Sequence, residues 1–202
     1  MRTLKVLIDG LAFPEGPRWH DGRFYFSDMH AHEVIAVDMA GKREVICEVP
    51  NRPSGLGWLP DGRMLVVSMT DRKLMRLDRD GLKMAADMSK LAPFDCNDMV
   101  ADARGNAYVG NFGFDLHKNE TPRGTTLVMV TSDGGTRVVA EDMMFPNGMV
   151  ITPDAKTLIV GETFGRRLTA FDIGADVDDL PAAGRLALQL RQHLVLLRLN
   201  GL

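Results

Sequence analysis

The sequence has 202 residues, of which 45% are apolar and 25% are charged, and its formal net charge is −3. Such a composition is typical of a globular protein with one sizeable core, and without a basic cluster it argues against a nucleic-acid or membrane partner. Two cysteines are too few for a disulfide framework, no apolar run reaches membrane-spanning length, and Asp9 interrupts the first apolar run where a secretory signal would continue. We therefore predict a cytoplasmic protein.

A turn–strand–turn–strand unit begins at residue 13 and recurs three times. The copies are FPEGPRWHDGRFYFSD (13–28), RPSGLGWLPDGRMLVVS (52–68), DCNDMVADARGNAYVGN (95–111) and FPNGMVITPDAKTLIVGETFG (145–165). A third strand pattern follows each copy, and a fourth follows the first three. Four short antiparallel strands in a repeat of about 40–50 residues are typical of a β-propeller blade. A helical solenoid is the rival at this period, but no segment in 1–176 has sustained 3.6-residue periodicity.

The repeat predicts an all-β fold in which about four propeller blades are present. Trp19 and Trp58 occupy matching places in the first two blades, so we expect both to pack between neighbouring blades. The first strand of each unit should be the innermost strand of its blade, at 16–20, 55–59, 98–102 and 148–152. The predicted blades span 13–50, 52–92, 95–143 and 145–176, which together make a propeller region at 1–176.

The third repeat is the longest because of a polar insertion at 112–126, FGFDLHKNETPRGTT. An insertion between two strands of a blade is an exposed loop, and such loops often reach over binding sites. Asp115 in this loop is therefore a candidate for contact with a substrate.

The segment 177–202 departs from the repeat and is predicted to be an atypical C-terminal tail. It lacks the turn–strand pattern, and the alternation of Leu186, Leu188 and Leu190 fits a strand or a helix equally well. Foreign sequence in place of further blades and an oligomerisation helix are both open interpretations. Because four blades would leave unpaired strand edges, we also expect self-association through the open edges of the propeller.

One polar residue precedes the innermost strand in every repeat: Glu15, Ser54, Asn97 and Asn147, spaced by 39, 43 and 50 residues. Equivalent positions of successive blades converge on the mouth of the central channel. Glu15, Asn97 and Asn147 together offer one carboxylate and two amide oxygens. All-oxygen coordination of low charge suits Ca²⁺, with Mg²⁺, Mn²⁺ or Zn²⁺ as alternatives, although the His and Cys ligands typical of zinc are not at these positions. The competing interpretation is that these residues only cap turns.

These motifs resemble the SMP-30/gluconolactonase/LRE-like family of six-bladed propellers with one divalent metal in the channel. The resemblance is carried by PEGPRW at 14–19, CND at 96–98, PNGM at 146–149 and the PDG turns. It implies that Glu15 and Asn147 are metal ligands and that Asn97 faces the metal or the substrate. Two positions before that Asn, sugar lactonases of the family carry an arginine. Here the residue is Asp95, a candidate for substrate contact, and this departure argues against specificity for an aldonolactone.

The activity implied by the resemblance is hydrolysis of a lactone, a cyclic ester, by metal-activated water, with a carboxylate as general base. The family places that carboxylate, an Asp, in the fifth blade, and no matching motif occurs before residue 202. No catalytic residue is therefore identified, and we expect a calcium-dependent lactonase of low or lost activity. The alternative from another class is a non-catalytic propeller fragment that binds a ligand or a protein. No G-x-S-x-G motif points to a nucleophilic serine.

Overall fold

The computed structural model describes residues 4–174, and within that range the chain forms strands and turns but no helix. The strands make four separate antiparallel sheets. The first sheet consists of β1 Pro14–His20, β2 Arg23–Asp28, β3 Glu33–Val37 and β4 Arg43–Glu48. The second consists of β5 Pro53–Trp58, β6 Met64–Ser68, β7 Lys73–Asp78 and β8 Gly81–Asp87. The third consists of β9 Cys96–Ala101, β10 Ala107–Asn111, β11 Thr125–Val130 and β12 Thr136–Met143. The fourth consists of β13 Pro146–Ile151, β14 Thr157–Glu162 and β15 Arg167–Asp172.

Each sheet is a simple meander in which consecutive strands pair, so each sheet is one blade. The first strands of successive blades lie beside one another in the order β1, β5, β9, β13. This arrangement confirms the predicted all-β fold with four blades in a propeller. Because the described residues contain no helix, none of them forms a helix that could cross a membrane.

Asp-Gly turns close the first hairpins of the first two blades. Gly22 has φ +74° and Gly62 has φ +83°, in the left-handed region that glycine enters without strain. The Asp61 carboxylate accepts the backbone N–H of Arg63 at 3.1 Å and closes an Asx turn. Turn chemistry that is readable in the sequence thus fixes these hairpins.

The hydrophobic core lies between adjacent blades. Blades 1 and 2 share a cluster that includes Val34 and Leu56, and blades 3 and 4 share one that includes Leu127 and Val160. Blades 2 and 3 share the largest cluster, which extends to Phe145 at the start of blade 4. Each interface is lined by aliphatic side chains from both blades, so burial of apolar surface holds the blades together.

The two tryptophans behave differently, and the prediction is correct for one of them. Trp58 lies at the interface with blade 1, stacked on His20 with 4.0 Å between ring centroids and edge-on to Tyr25 at 5.1 Å. The prediction for Trp19 is wrong, because its side chain is 60% exposed. Trp58 packs on the preceding blade, and no blade precedes Trp19 within the described part of the chain.

The innermost strands begin about two residues earlier than predicted. Pro14 pairs with Asp28, and a β-bulge follows between Glu15 and Arg18. A similar bulge follows the first paired residue in each of the strands β5, β9 and β13. A bulge interrupts the ladder without ending it, so the first residues of each motif remain paired with the end of the next strand.

The predicted long loop of the third repeat is present at 112–124, between β10 and β11. The predicted boundary at residue 177 and the atypical tail at 177–202 lie outside the described residues.

Candidate functional site

The second residue of each innermost strand is polar, and these four residues, Glu15, Ser54, Asn97 and Asn147, are hereafter called the polar column. The sequence placed them just before their strands, whereas the structure places them inside the strands, at the bulges. Because the four strands lie side by side, the polar column gathers one side chain from each blade at one end of the strands.

Glycines beside the polar column let neighbouring blades approach closely. A Cβ atom at Gly55 would lie 2.3 Å from the backbone nitrogen of Met99 in blade 3. A Cβ atom at Gly16, which has φ +56°, would lie 2.9 Å from the carbonyl oxygen of Ser54 in blade 2. Side chains at these positions would therefore push adjacent innermost strands apart and widen the spacing of the polar column.

Buried carboxylates at the ends of β2 and β14 fix the backbone that enters β1 and β13. The carboxylate of Asp28 accepts the N–H of Ala12 at 3.0 Å and that of Phe13 at 2.7 Å. In blade 4 the carboxylate of Glu162 accepts the N–H of Met144 at 2.7 Å. Equivalent carboxylates in blades 1 and 4 thus hold the backbone segments that lead into Glu15 and Asn147.

Glu162 is also bound by its own hairpin. Its Oε1 accepts Nε of Arg167 at 2.7 Å and the hydroxyl of Thr169, and its Oε2 accepts Nη2 of Arg167 at 2.8 Å. Burial alone would raise the pKa of Glu162, but the hydrogen bonds from Arg167, Thr169 and the Met144 backbone outweigh burial and lower it. The carboxylate is therefore a charged anchor rather than a free acid or base.

An ion pair that the sequence did not predict crosses several blades next to the polar column. Nη2 of Arg18 in blade 1 donates to Oδ1 of Asp98 in blade 3 at 2.7 Å and also to the carbonyl of Met99. Nε of Arg18 donates to the carbonyl of Leu56 in blade 2 at 3.2 Å, and Nη1 donates to that of Pro17 at 2.9 Å. One guanidinium therefore connects the innermost strands of three blades.

The charge of Asp98 in blade 3 acts on the ionisation of Glu15 in blade 1. Burial raises the pKa of Glu15, and the negative charge of Asp98 raises it further. Burial also raises the pKa of Asp98, against the opposing effects of Arg18 and of the backbone N–H groups of Met99 and Met149. Met149 belongs to blade 4, so groups of blades 1, 3 and 4 bear on the ionisation of Asp98.

Two polar-column side chains have buried polar atoms without partners. The hydroxyl of Ser54 and Nδ2 of Asn97 make no hydrogen bond within the described residues, and both residues are almost fully buried. Buried polar atoms are nearly always satisfied, by protein, water or an ion. Rotation of the Asn97 amide by 180° would present an oxygen in place of the nitrogen. With that rotation, the amide oxygen of Asn97 and the carboxylate of Glu15 are oxygen donors of the kind that a hard cation takes.

Asn147 is the most accessible amide of the polar column. Its Nδ2 lies 3.5 Å from the hydroxyl of Thr163, and it borders an open hollow with Gly148 and Arg166. Residues 4–174 contain no group of three or more His, Cys, Asp and Glu side chains that could hold a metal. A cation site here would consequently rely on amide oxygens together with Glu15, which suits calcium better than zinc.

The two carboxylates predicted to bind substrate lie near each other, but they differ in their surroundings. Asp115 accepts the N–H groups of His117 and Lys118 at 3.0 and 3.1 Å and forms an ion pair with Lys118, so its own loop uses it. Asp95 directly precedes β9 and is half-buried, and burial raises its pKa, opposed by the charge of His117. Its carboxylate makes no hydrogen bond within residues 4–174, which leaves Asp95 as the better placed of the two for a ligand.

Sequence reasoning missed Arg18 and Asp98 as site residues, although the repeat register contains a signal. Glycine follows the polar-column residue in blades 1, 2 and 4, at positions 16, 55 and 148, whereas Asp98 stands there in blade 3. The one departure from a repeated glycine marks a side chain with a role of its own. The partner of Asp98 could not be read from the sequence, because Arg18 is 80 residues away.

The fold and these residues define a β-propeller with an oxygen-rich cluster at one end of its innermost strands. The model of the SMP-30/gluconolactonase/LRE-like region matches residues 13–194. The chain therefore belongs to the SMP-30/gluconolactonase/LRE-like family, which confirms the resemblance predicted from the PEGPRW, CND and PNGM motifs.

Solved structures with the same fold include a calcium-binding regucalcin from Agrobacterium tumefaciens, with a TM-score of 0.68 and 22% identity over 84% of this chain and 57% of that one. A gluconolactonase from Xanthomonas campestris has a TM-score of 0.68 and 22% identity, over 83% of this chain and 61% of that one. A luciferin-regenerating enzyme has a TM-score of 0.67 and 21% identity, over 82% of this chain and 57% of that one. The chain thus spans 57–61% of the length of these relatives, and at such identities the likeness shows the fold alone.

Proposed function

We propose that this protein is a metal-dependent hydrolase of the gluconolactonase type that opens a lactone or a related ester, and that Ca²⁺ is its metal. The observation that carries this proposal is the polar column, where Glu15 lies in register with two buried polar side chains that lack partners, Ser54 and Asn97. Support also comes from the family and from solved structures with the same fold, which include a calcium-binding regucalcin and a gluconolactonase.

In this proposal Glu15, Asn97 and Asn147 hold the cation, with one carboxylate and two amide oxygens. A bound cation supplies Lewis acidity, which polarises the carbonyl of an ester and stabilises the oxyanion that develops on it. Glu15 supplies the negative charge of the ligand set, and Asn97 orients its amide toward the ion or the substrate. Asp95, directly before the strand that carries Asn97, contacts the substrate, with Asp115 as a second candidate in the loop.

The general base is not identified among the described residues. The charge of Asp98 raises the pKa of Glu15, but the Asp98 carboxylate is already bound by Arg18. Glu15 itself would be a metal ligand. We therefore expect weak lactone hydrolysis from the 202-residue chain, and we propose that the complete site belongs to a ring of six blades, as in the family resemblance.

Calcium binding tests the proposal before any substrate is known. Calorimetry should detect binding of about one ion, and saturating calcium at about 100 times the dissociation constant should stabilise the fold by about 2.7 kcal/mol. For a domain of this size the melting temperature should then rise by about 5–10 °C. Glu15→Gln should abolish the rise, because it removes the only charge of the ligand set and keeps its shape. Glu48→Gln, an exposed glutamate at the end of β4, is the matched control and should respond like the unsubstituted chain.

Absence of any calcium response in the unsubstituted chain would remove the metal site and with it this proposal. Calcium binding without hydrolysis of any lactone would instead favour the alternative, a non-catalytic propeller fragment that binds a ligand or a protein. A cytoplasmic location and self-association through open blade edges stay predictions, and sedimentation would test the second.

A further inference from the structure

Negative charge exceeds positive charge among the three charged side chains Glu15, Arg18 and Asp98 at the polar column. Two carboxylates belong to this region, Glu15 in blade 1 and Asp98 in blade 3, and the guanidinium of Arg18 binds only Asp98. Asp98 also stands where the other three blades have glycine. The side chain of Asp98 is 7% exposed and that of Arg18 is 21% exposed, so solvent screens the pair only weakly.

We propose that the Arg18–Asp98 ion pair sets the charge, and thereby the affinity, of the cation site. Arg18 cancels the charge of Asp98 and keeps its carboxylate out of the ligand set, so that Glu15 is the one uncompensated charge there. This inference rests on the proposed function, because it concerns the calcium site built from the polar column. It assigns to Arg18 and Asp98 the role of positioning residues, which contact neither the ion nor the substrate.

The hydrogen bonds of the pair support this role. Each outer nitrogen of Arg18 and its Nε already has an acceptor in the carboxylate of Asp98 or in the carbonyls of Leu56, Met99 and Pro17. Oδ1 of Asp98 accepts from Arg18 at 2.7 Å and from the N–H of Met99 at 2.8 Å. Because Oδ1 of Asp98 holds both of these donors, turning this oxygen toward an ion held by Glu15 would break the ion pair with Arg18.

Electrostatics gives the direction of three substitutions. A divalent ion feels a neighbouring unit charge twice as strongly as a monovalent ion does, and within several ångströms one charge changes affinity by roughly tenfold or more. Asp98→Asn leaves Arg18 uncompensated, so calcium should bind at least about tenfold more weakly. Arg18→Met leaves Asp98 uncompensated, so calcium should bind at least about tenfold more tightly. The double variant Arg18→Met/Asp98→Asn restores the original net charge and should bind within about threefold of the unsubstituted chain.

The experiment is calorimetric titration of the whole 202-residue chain and its variants with calcium chloride at low ionic strength. Thermal unfolding without calcium establishes that each variant is folded. Arg76→Met is the matched control, since it removes the same charge from the Arg76–Asp78 pair on β7, away from the innermost strands. Its calcium affinity should stay within about twofold of the unsubstituted chain.

The expected pattern is weaker binding for Asp98→Asn and recovery in the double variant. Equal affinities in the unsubstituted chain, Asp98→Asn and the double variant would overturn this inference and leave the proposed function standing. If Arg18→Met does not fold, because the buried carboxylate of Asp98 has lost its partner, Asp98→Asn and the double variant still test the inference. Absence of calcium binding by the unsubstituted chain would overturn the proposed function and this inference together.

Discussion

Substitution of Glu162 by glutamine should destabilise blade 4, although it changes only one atom of the side chain. The carboxylate side chain is fully buried, and its two oxygens accept hydrogen bonds from three residues. The guanidinium of Arg167 donates two of these bonds, at 2.7 and 2.8 Å, and the others come from Thr169 and from the backbone of Met144. Glutamine offers a single acceptor oxygen, so half of these donors would face an NH₂ group.

The expected cost follows from the hydrogen bonds that the substitution removes. A hydrogen bond to a charged group contributes about 1.5–3 kcal/mol, and a buried donor left unsatisfied adds its desolvation penalty. Removal of about two such hydrogen bonds in Glu162→Gln should lower the free energy of unfolding by about 3–4 kcal/mol. For a domain of this size that corresponds to a melting temperature lower by about 6–16 °C.

Thermal unfolding followed by circular dichroism at neutral pH measures this destabilisation. Glu141→Gln is the matched control, because Glu141 is exposed on β12 and the same chemical change there should shift the melting temperature by less than about 2 °C. Hydrogen exchange should also show faster exchange of the Met144 amide, whose acceptor is removed. A Glu162→Gln variant as stable as Glu141→Gln would refute the view that this carboxylate anchors the entry to β13.

The pH dependence of the stability of the unsubstituted chain and of Glu162→Gln tests the sign of this electrostatic contribution. Since the pKa of Glu162 in the folded chain is lowered, mainly by Arg167 and Thr169 against the effect of burial, the charged form is favoured by folding. This contribution is fully present above the ordinary glutamate pKa and is lost as the pH falls through the lowered value. The difference in stability between the unsubstituted chain and Glu162→Gln should therefore be largest near pH 7 and shrink below about pH 4.

Two further predictions concern packing and reactivity. Gly55→Ala should destabilise the fold by at least about 3 kcal/mol in urea unfolding, because the added Cβ would lie 2.3 Å from the backbone nitrogen of Met99. Gly148 is at the equivalent position of blade 4, and a Cβ there would meet nothing within 4 Å, so Gly148→Ala should cost less than about 0.5 kcal/mol. Burial raises the pKa of Cys96 to about 12 and that of Cys47 to about 11. Both thiols should therefore react slowly with iodoacetamide at pH 8 in the folded chain, and labelling of Cys96 at its rate in urea would contradict the structure.

The periodic features of this protein were readable from the sequence. Hairpin turns such as Asp61-Gly62 depend on the conformational preferences of a few adjacent residues, and each strand follows from its own run of aliphatic side chains. Repetition of the unit then predicted the blades. It also predicted that Glu15, Asn97 and Asn147 are equivalent, because equivalent places in a repeat take equivalent places in a propeller. The family followed from the same motifs.

The contacts between blades were decided only by the tertiary structure. Arg18 and Asp98 are distant in sequence, and their pairing depends on how far apart the innermost strands lie, which the glycines and bulges of several blades set together. Trp19 and Trp58 match in the repeat but differ in exposure, because burial depends on which blade lies alongside. Local sequence determines turns and strands because their hydrogen bonds join near neighbours. The environment of a side chain between blades depends on residues that only the folded chain brings together.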